Sequence, residues 1–272
     1  MRTATIYITG ASRGLGAALA IAYAEPGRTL LLAARDQRRL HDVAAACRAK
    51  GADVHCAVLD IRDPDVQIAF LDSLPGHKTL DLAICNAGVF SGRSGERAME
   101  TPEAARDVVD INLWGTIATA HAAAEVMSRH RHGRIALISS LAASHPLADA
   151  AAYSASKAGV SAYARGLREL LAPGIAVSLV LPGHIRTDQT ARHEGVLTGI
   201  ISPERAAAKI MRGLERGRAE IVFPRHLHWL GLAGRLLPYR VAWYLNRPQR
   251  FTVAAPPDEK KEADVAPGRH EI

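Results

Sequence analysis

A tyrosine and a lysine four residues apart, Tyr153 and Lys157, are the two side chains in this sequence best placed for acid–base chemistry. Residues i and i+4 of a helix lie on one face, so a phenol and an ammonium at this spacing can share one site. The cation should stabilise the phenolate and lower a pKa that is normally about 10. A tyrosine tuned in this way can exchange a proton with an alcohol near neutral pH. The same pair also fits a half-buried tyrosine beside a surface lysine, and the rest of the chain decides between the two interpretations.

A glycine-rich segment near the N-terminus, TGASRGLG at residues 9–16, favours the chemical interpretation. It follows a predicted strand and begins a predicted helix. Gly10, Gly14 and Gly16 permit a tight turn and let a pyrophosphate approach the backbone N–H groups at the helix N-terminus. Glycine-rich turns often only connect elements, but the strand-to-helix position favours a dinucleotide site.

Short apolar, β-branched runs alternate with longer helical stretches along most of the chain. The predicted strands are residues 3–9, 29–34, 53–59, 80–85, 134–139, 175–181 and 220–223. The predicted helices include residues 15–24, 37–50, 103–131, 153–172 and 203–216. Such alternation predicts a parallel sheet covered on both faces. With right-handed crossovers this is an α/β doubly wound, Rossmann-type fold of about seven strands.

Length and composition fit one α/β domain with a substantial core. The chain has 272 residues, of which 48% are hydrophobic and 22% charged, as in ordinary globular proteins. We predict a single dinucleotide-binding and catalytic domain over residues 1–250, in which residues 224–250 form a basic, apolar C-terminal extension. Residues 254–272 are Pro-rich and charged, a composition that predicts disorder.

Cysteine and histidine usage argues against a disulfide framework and against a metal site. Cys47, Cys56 and Cys85 are widely spaced, and an odd count without a C-x-x-C pair favours a reducing, cytoplasmic compartment. The N-terminus enters a strand directly and lacks the layout of a signal peptide. His130 and His132 end a predicted helix, where its dipole favours cations, and no carboxylate or cysteine accompanies them at ligand spacing. We therefore expect no metal.

Further short motifs follow the glycine turn in a fixed order. They are Asp60 in VLDI, NAG at residues 86–88, Asn112 in INLWG, Ser140 in ISS, the Tyr153/Lys157 pair, and PGHIRT at residues 182–187. Each is weak alone, but their order and spacing resemble the classical short-chain dehydrogenases/reductases, from residue 3 to about residue 223. The resemblance implies a nicotinamide cofactor and hydride transfer between that cofactor and a carbonyl or an alcohol.

The resemblance also implies catalytic roles for Asn112, Ser140, Tyr153 and Lys157. Tyr153 would be the general acid in reduction and the base in oxidation, while Lys157 would lower its pKa and bind the nicotinamide ribose hydroxyls. Ser140 would donate to the substrate oxygen, because thirteen residues to the tyrosine is the family spacing. Its neighbour Ser139 points to the opposite face of the strand. Asn112 would hold a water that links the lysine to bulk solvent.

The sequence favours NADP(H) as the cofactor. An NAD enzyme usually ends its second strand with a carboxylate that accepts hydrogen bonds from the ribose 2′-hydroxyl, whereas this position is Ala34. Arg35 follows, and Arg13 lies within the glycine turn, so two guanidiniums can bind a 2′-phosphate. The alternative is that both arginines are merely solvated and that Asp36 serves as the acid.

The other cofactor contacts are carried over from the resemblance. Asp60 would contact the adenine amine, residues 86–88 would line the cofactor floor, and Ile185 and Thr187 would hold the nicotinamide carboxamide. The full predicted set is Gly10, Ser12, Arg13, Gly14, Leu15, Gly16, Arg35, Asp60, Ile61, Asn86, Ala87, Gly88, Tyr153, Lys157, Pro182, Gly183, Ile185 and Thr187.

Substrate identity is poorly encoded. Residues 186–201 stand at the family's lid position and are polar and bounded by glycines, which is typical of a mobile loop. The stretch after Ser140, LAASHPLADAAA, is small and apolar. It favours a medium-sized hydrophobic carbonyl.

Positive charge is concentrated near the C-terminus. The formal net charge is +7, and residues 203–250 carry ten Lys/Arg against three Glu. No binding motif accompanies this charge, so we do not expect nucleic-acid binding. Residues 227–245 are apolar and aromatic, with Trp229 and Trp243, and are interrupted by Arg235, Pro238 and Arg240. This composition fits either a segment lying on an anionic bilayer or a helix packed over the active site or on another subunit.

Two functions are compatible with these features. The first is an NADP(H)-dependent carbonyl reductase or alcohol dehydrogenase, which by family analogy forms a homodimer or homotetramer through helices 103–131 and 153–172. The second is a catalytically idle NADP-binding regulator or membrane-associated scaffold. The complete set of four catalytic residues favours the first function, and NADPH oxidation with a panel of ketones and aldehydes discriminates between the two.

Overall fold

Parallel strands and helices alternate along the chain, as the hydrophobic pattern predicts. The structure, a computed structural model, describes residues 4–73, 79–95, 97, 99–191, 193–194, 199–234, 236–238, 240–241, 244 and 251–253. The main strands are β1 (Ala4–Thr9), β2 (Arg28–Ala34), β3 (Asp53–Val58), β4 (Leu80–Cys85), β5 (Arg134–Ile138), β6 (Ala176–Pro182) and β8 (Glu220–Phe223). They form one sheet in the order β3-β2-β1-β4-β5-β6-β8, and every pair in it is parallel.

Helices cover both faces of this sheet. They are α1 (Gly14–Tyr23), α2 (Gln37–Ala49), α3 (Pro64–Asp72), α4 (Pro102–Val109), α5 (Gly115–Ser128), α6 (Ala151–Leu171), α7 (Asp188–Ala191), α8 (Pro203–Glu215) and α9 (Arg225–Gly234). On one face, Ile6 and Ile8 of β1 pack with α1, α2 and α8. On the other, Tyr7 packs with α3, α5 and α6. Successive strand residues thus enter opposite core layers, which explains why the central strands are apolar throughout.

The order of the strands reverses between β1 and β4. Chain connections leave β1 toward β2 on one side, whereas β4 and the strands after it lie on the other side. In open α/β sheets such a switch point creates a crevice outside the carboxyl ends of the strands, and ligands bind there.

All seven predicted strands are confirmed within one or two residues, and the helical prediction needs some corrections. The predicted helix over residues 103–131 is helical from residue 102 to 128, but a π-helical turn, Asp110–Trp114, lies within it between α4 and α5. Helix α3 was not predicted, although Asp63 followed by Pro64 is a helix-start signal, and the Asp63 side chain accepts from the N–H groups of Asp65 and Val66. Helix α9 overlaps the segment 227–245, for which a packed helix was one of the two alternatives, whereas a short antiparallel pair, β7 (His193–Glu194) with β9 (Thr252–Val253), was missed.

The C-terminal predictions are only partly open to comparison. Residues 254–272, with their predicted disorder, lie outside the described residues, as do Arg235 and Trp243. Within the part of the chain that the structure describes, no helix is long and apolar enough to cross a membrane.

Candidate active site

A large cavity of about 780 Å³ lies at the carboxyl ends of the parallel strands, at the switch point. Ser140, Tyr153 and Lys157 line it, together with every predicted cofactor residue except Gly16. Asn112 also lies outside the lining. The structure therefore brings nearly the whole predicted set, collected from across the chain, into one site.

The glycine turn between β1 and α1 leaves no room for side chains. Gly10 has φ 66°, in the left-handed region, and a Cβ on it would lie 2.7 Å from the Cα of Ala87. A Cβ on Gly16 would overlap the carbonyl oxygen of Gly10. Gly16 therefore serves the packing of the turn from behind rather than lining the cavity. The bare backbone leaves the N-terminus of α1 open for a phosphate.

The loop after β4 is fastened to this turn. The side-chain amide of Asn86 donates to the carbonyl of Thr9 at 3.0 Å, and the Thr9 hydroxyl accepts from the backbone N–H of Asn86 at 3.1 Å. The N–H of Ala87 lies 3.3 Å from the same hydroxyl. Asn86 is thus a structural link between the turn and the cavity floor, in addition to its place in the lining.

Asn112 holds the next part of the same loop. It is fully buried in the π-helical turn, accepts from the N–H of Val89 at 2.7 Å and donates to the carbonyl of Val89 at 2.9 Å. It also donates to the Ser156 hydroxyl at 3.3 Å. The extra residue in a π turn redirects a side chain, and here Asn112 pairs with loop backbone as a neighbouring strand would. Its Oδ1 would lie 3.1 Å from a Cβ on Gly88, so the amide stands just behind the cavity wall.

The two adjacent serines at the end of β5 separate as predicted. Ser139 is buried, and its hydroxyl donates to the carbonyl of Lys157 at 2.7 Å and lies 2.9 Å from the hydroxyl of Ser161. Both serines line the cavity, but the hydroxyl of Ser140 accepts from the N–H of Ala142 at 3.1 Å instead. The first serine ties β5 to α6, and the second is available to a ligand.

Tyr153 and Lys157 lie on one face of α6 and both line the cavity. The Lys157 ammonium is 5% exposed, donates to the carbonyl of Ile138 at 3.0 Å and lies 5.8 Å from the centroid of the Tyr153 ring. Burial lowers the pKa of Lys157 to about 8. The lysine is therefore still mostly protonated at neutral pH.

The pKa of Tyr153 corrects an expectation from the sequence. Burial raises this pKa, and a hydrogen bond with Ser140 opposes the rise. We expected the Lys157 cation to make the net shift downward, whereas desolvation of the phenol dominates and the net shift is upward; the ammonium lies over the ring and donates to Ile138. The phenol is thus protonated at neutral pH and hydrogen-bonded to the serine predicted to share its site.

Three arginines stand where β2 ends. Arg13, Arg35 and Arg39 line this part of the cavity beside Ala34. The carboxylate of Asp36 accepts from the backbone N–H of Arg39 at 3.0 Å as the N-cap of α2, and its other oxygen lies 3.5 Å from the guanidinium of Arg39. The carboxylate proposed as the alternative ribose acid is therefore engaged by its own helix.

A carboxylate from α7 reaches the same arginines. Oδ2 of Asp188 lies 3.3 Å from Nη1 of Arg39 and 3.9 Å from Nη1 of Arg13. All three side chains are about half exposed or more, so these contacts are weak and easily exchanged for a stronger anion.

Asp60 lines the cavity and forms an ion pair with Arg62 through several hydrogen bonds. Nε of Arg62 donates to both of its oxygens at 3.0 Å, and the Arg62 backbone N–H donates to Oδ1 at 3.0 Å. The hydrogen bond from Arg62 lowers the pKa of Asp60, and the charge of Arg35 adds to this. The carboxylate is ionised and fixed in place, beside the cluster of arginines.

Several lining residues carry no motif and were missed. Arg39 lies in the first turn of α2, four residues after Arg35, at the end of the helix that faces the cavity. Phe90 and Phe251 belong to segments far apart in the sequence, and the β-prone run FTV at residues 251–253 was the available signal for the second. Leu227 and Leu230 belong to the segment 227–245, for which a helix packed over the active site was one of the two alternatives.

Comparisons with known proteins agree with this geometry. A family model described as short chain dehydrogenase matches residues 4–195. The 11-beta-hydroxysteroid dehydrogenase-like 2 of Arabidopsis thaliana is 34% identical over 248 residues, covering 89% of this chain and 80% of that protein.

Two solved structures share the fold and differ in their bound cofactor. A short-chain dehydrogenase from Sphingobium yanoikuyae in complex with NADPH is 25% identical with a TM-score of 0.71, covering 98% of each chain. A short chain dehydrogenase from Mycobacterium paratuberculosis bound to NAD is 26% identical with a TM-score of 0.70, covering 80% of this chain and 95% of that one. The chain belongs to the short-chain dehydrogenase family of oxidoreductases.

Proposed function

We propose that this protein is an NADP(H)-dependent oxidoreductase that interconverts a carbonyl and an alcohol, with Tyr153 as the general acid or base. The observation that carries the proposal is the hydrogen-bonded Ser140–Tyr153 pair beside a buried Lys157, in a cavity with three arginines at its far end. A buried cation and a protonated phenol facing one cavity are costly unless they serve a ligand.

Ser140 and Tyr153 are suited to the reduction of a carbonyl. A bound nicotinamide supplies the hydride when a carbonyl is reduced, and accepts one when an alcohol is oxidised. Ser140 donates a hydrogen bond that holds the substrate oxygen next to the Tyr153 phenol. Because burial raises the pKa of Tyr153, the phenol carries its proton at neutral pH and can transfer it to that oxygen as negative charge develops there.

Lys157 and Asn112 support this step from behind. The ammonium of Lys157 places a positive charge beside the phenol, which favours the phenolate left after proton transfer, and its remaining donors are suited to ribose hydroxyls. Asn112 fixes the loop at Val89 and Gly88, next to the lysine. Its water-holding role stays a prediction, since its amide is engaged by Val89 and Ser156.

The glycine turn and the arginines fit a phosphorylated dinucleotide. A Cβ on Gly10 or on Gly16 would collide with neighbouring backbone, so the turn is as tight as close approach of a pyrophosphate to the backbone requires. Both NAD and NADPH complexes occur among structures with this fold, so the choice rests on Arg13, Arg35 and Arg39 beside the uncharged Ala34. A 2′-phosphate carries more charge than Asp188 and should displace it from Arg39.

A substrate panel tests the proposed activity. NADPH should be oxidised in the presence of hydrophobic ketones or aldehydes at a rate well above its loss without substrate, and NADH should be a much poorer donor. The measurement is absorbance of the reduced nicotinamide across the panel, repeated in the oxidative direction with alcohols. Tight NADPH binding without turnover of any carbonyl or alcohol would instead support the idle regulator.

Helix α9 packs over the cavity. Leu227, Leu230 and Gly231 line it, a Cβ on Gly231 would lie 2.9 Å from the Cβ of His145, and Nδ1 of His228 lies 3.1 Å from the Ser144 hydroxyl. These contacts support the protein-contact interpretation of residues 227–245. A homodimer or homotetramer through residues 103–131 and 153–172, and a cytoplasmic location, stay predictions.

The outer side of this region still exposes apolar groups, with Trp229 67% and Leu236 88% exposed. We expect anionic vesicles to leave the tryptophan emission unchanged, because α9 is already anchored on the cavity and offers only short apolar pieces to lipid. Fluorescence and co-sedimentation with vesicles at low and high salt measure this. A blue shift that salt reverses would show a membrane surface instead.

A further inference from the structure

The C-terminal residues 251–253 return to the cavity and complete an aromatic wall. Phe251 is 5% exposed and lines the cavity. Its ring lies 6.2 Å from that of Phe90 at an interplanar angle of 24°, and Phe90 meets the Tyr153 ring edge-on at 4.8 Å. The stacked rings of Phe90 and Phe251 therefore lie directly beside Tyr153, the proposed proton donor.

A buried ion pair holds the wall in place. The Asp149 side chain is 1% exposed, and its Oδ1 accepts from Nε of Arg93 at 3.1 Å. Its Oδ2 accepts from the backbone N–H of Phe251 at 3.1 Å, while Nη2 of Arg93 donates to the Phe251 carbonyl at 3.3 Å. The N–H of Val253 donates to the Arg93 carbonyl at 2.9 Å. The backbone N–H and the backbone carbonyl of Phe251 are thus each bound by a charged side chain. This fixes the ring more strongly than apolar contact alone would.

The same segment also pairs with the chain that follows β6. Thr252 and Val253 form β9, which pairs antiparallel with His193 and Glu194 in β7. The wall is therefore anchored on the loop after β4 through Arg93 and on the segment after β6 through β7.

We propose that residues 251–253 are the substrate-selecting wall of this enzyme, positioned by Arg93 and Asp149, and that the wall selects ketones or secondary alcohols with a bulky, fused-ring apolar skeleton. The inference rests on the proposed function, because it takes the Ser140–Tyr153 pair as the site of the reacting oxygen. Around that pair the lining is apolar, with Phe90, Leu141, Leu147, Leu227, Leu230 and Phe251.

The polar groups near the wall do not favour a charged substrate. Burial lowers the pKa of His184, which keeps this imidazole neutral near pH 7. Among the described lining residues at this end, Lys157 is the one lysine or arginine, and its ammonium bonds to Ile138, while His145 also lines the cavity, against Gly231 of α9. A carboxylate on the skeleton would therefore be desolvated without a partner, whereas flat apolar rings gain contact with Phe90 and Phe251.

Two ketones that differ only in apolar bulk test this inference: 2-decalone and cyclohexanone. Binding of each ketone is measured by calorimetry on the NADPH complex of the Tyr153→Phe protein, which should bind without turnover. The kcat/KM values are measured separately on protein that retains Tyr153. We expect decalone to be preferred, and Phe251→Ala to reduce that preference about ten- to a hundred-fold. Phe251→Leu keeps apolar bulk but loses the flat face, and should reduce it about two- to ten-fold. If Phe251→Ala does not fold, Phe251→Leu carries the test.

The positioning pair is tested in the same assays. Asp149→Asn keeps the shape but weakens the pairing with Arg93, and should lower the decalone preference through KM rather than kcat. Trp229→Ala removes an exposed aromatic ring outside the cavity and serves as the control with an unchanged preference. Equal binding of both ketones by the unmodified wall, or an unchanged preference in the Phe251 variants, would overturn the inference. Preferential binding of decalone without any turnover would uphold the wall and reject the proposed reaction.

Discussion

Replacing Tyr153 with phenylalanine should lower kcat for carbonyl reduction about a hundred- to ten-thousand-fold, the usual contribution of a positioned acid. The substitution keeps the ring against Phe90 and under the Lys157 ammonium, and it removes only the hydroxyl that bonds to Ser140. Binding of NADPH should change little, because the glycine turn and the arginines are untouched. Steady-state kinetics and calorimetric titration with NADPH measure the two quantities on the same preparation.

The matched control for this prediction is Tyr163→Phe. Tyr163 lies on the same helix, is also partly buried, and has a pKa that burial raises, but it does not line the cavity. Its hydroxyl can therefore be removed with the same chemistry and no expected effect on turnover. Near-normal turnover in Tyr153→Phe, or an equal loss in both variants, would show that the phenol of Tyr153 is not the acid.

The fold was predictable because local signals and the global architecture agree. Continuous apolar runs such as residues 29–34 and 134–138 belong to strands buried on both faces, and the intervening helices follow their apolar periodicity. The π turn at Asp110–Trp114 was not predictable in this way, because the Asn112 side chain that it positions is held by Val89, which is distant in sequence.

The site was predictable as a set of residues but not as an electrostatic environment. Motif order placed Ser140, Tyr153 and Lys157 together, and strand alternation separated Ser139 from Ser140. The direction of the Tyr153 pKa shift depends on burial and on where the ammonium points, and spacing along a helix supplies neither.

The aromatic wall shows the same limit more sharply. Asp149 stands in an alanine-rich stretch and Arg93 in a polar loop, and each alone resembles a solvated surface charge. Arg93 is 56 residues from Asp149 in sequence, and Phe251, whose N–H the carboxylate also accepts, is 102 residues away. Only the tertiary fold brings these groups together.

Replacing Arg35 with alanine should weaken NADPH binding about ten- to a hundred-fold and leave NADH binding nearly unchanged. Only NADPH carries the 2′-phosphate, and a lost hydrogen bond to a charged group costs about 1.5–3 kcal/mol. Arg35 lines the cavity next to Ala34, and its charge already reaches the carboxylate of Asp60. Titration of both reduced cofactors at fixed low ionic strength measures the two dissociation constants, since salt screens this contact.

Arg38→Ala provides the matched control, because Arg38 is an exposed arginine of the same segment that does not line the cavity. It should leave both dissociation constants unchanged. Asp36→Asn tests the competing explanation, in which Asp36 binds the ribose hydroxyls of NAD. We expect it to leave NADH affinity unchanged and to cost little fold stability, because asparagine can still cap α2 and only the exposed pair with Arg39 is lost. Equal losses for NADPH and NADH in Arg35→Ala, with a selective loss of NADH in Asp36→Asn, would reverse the cofactor assignment, since the carboxylate would then be the group that recognises the ribose.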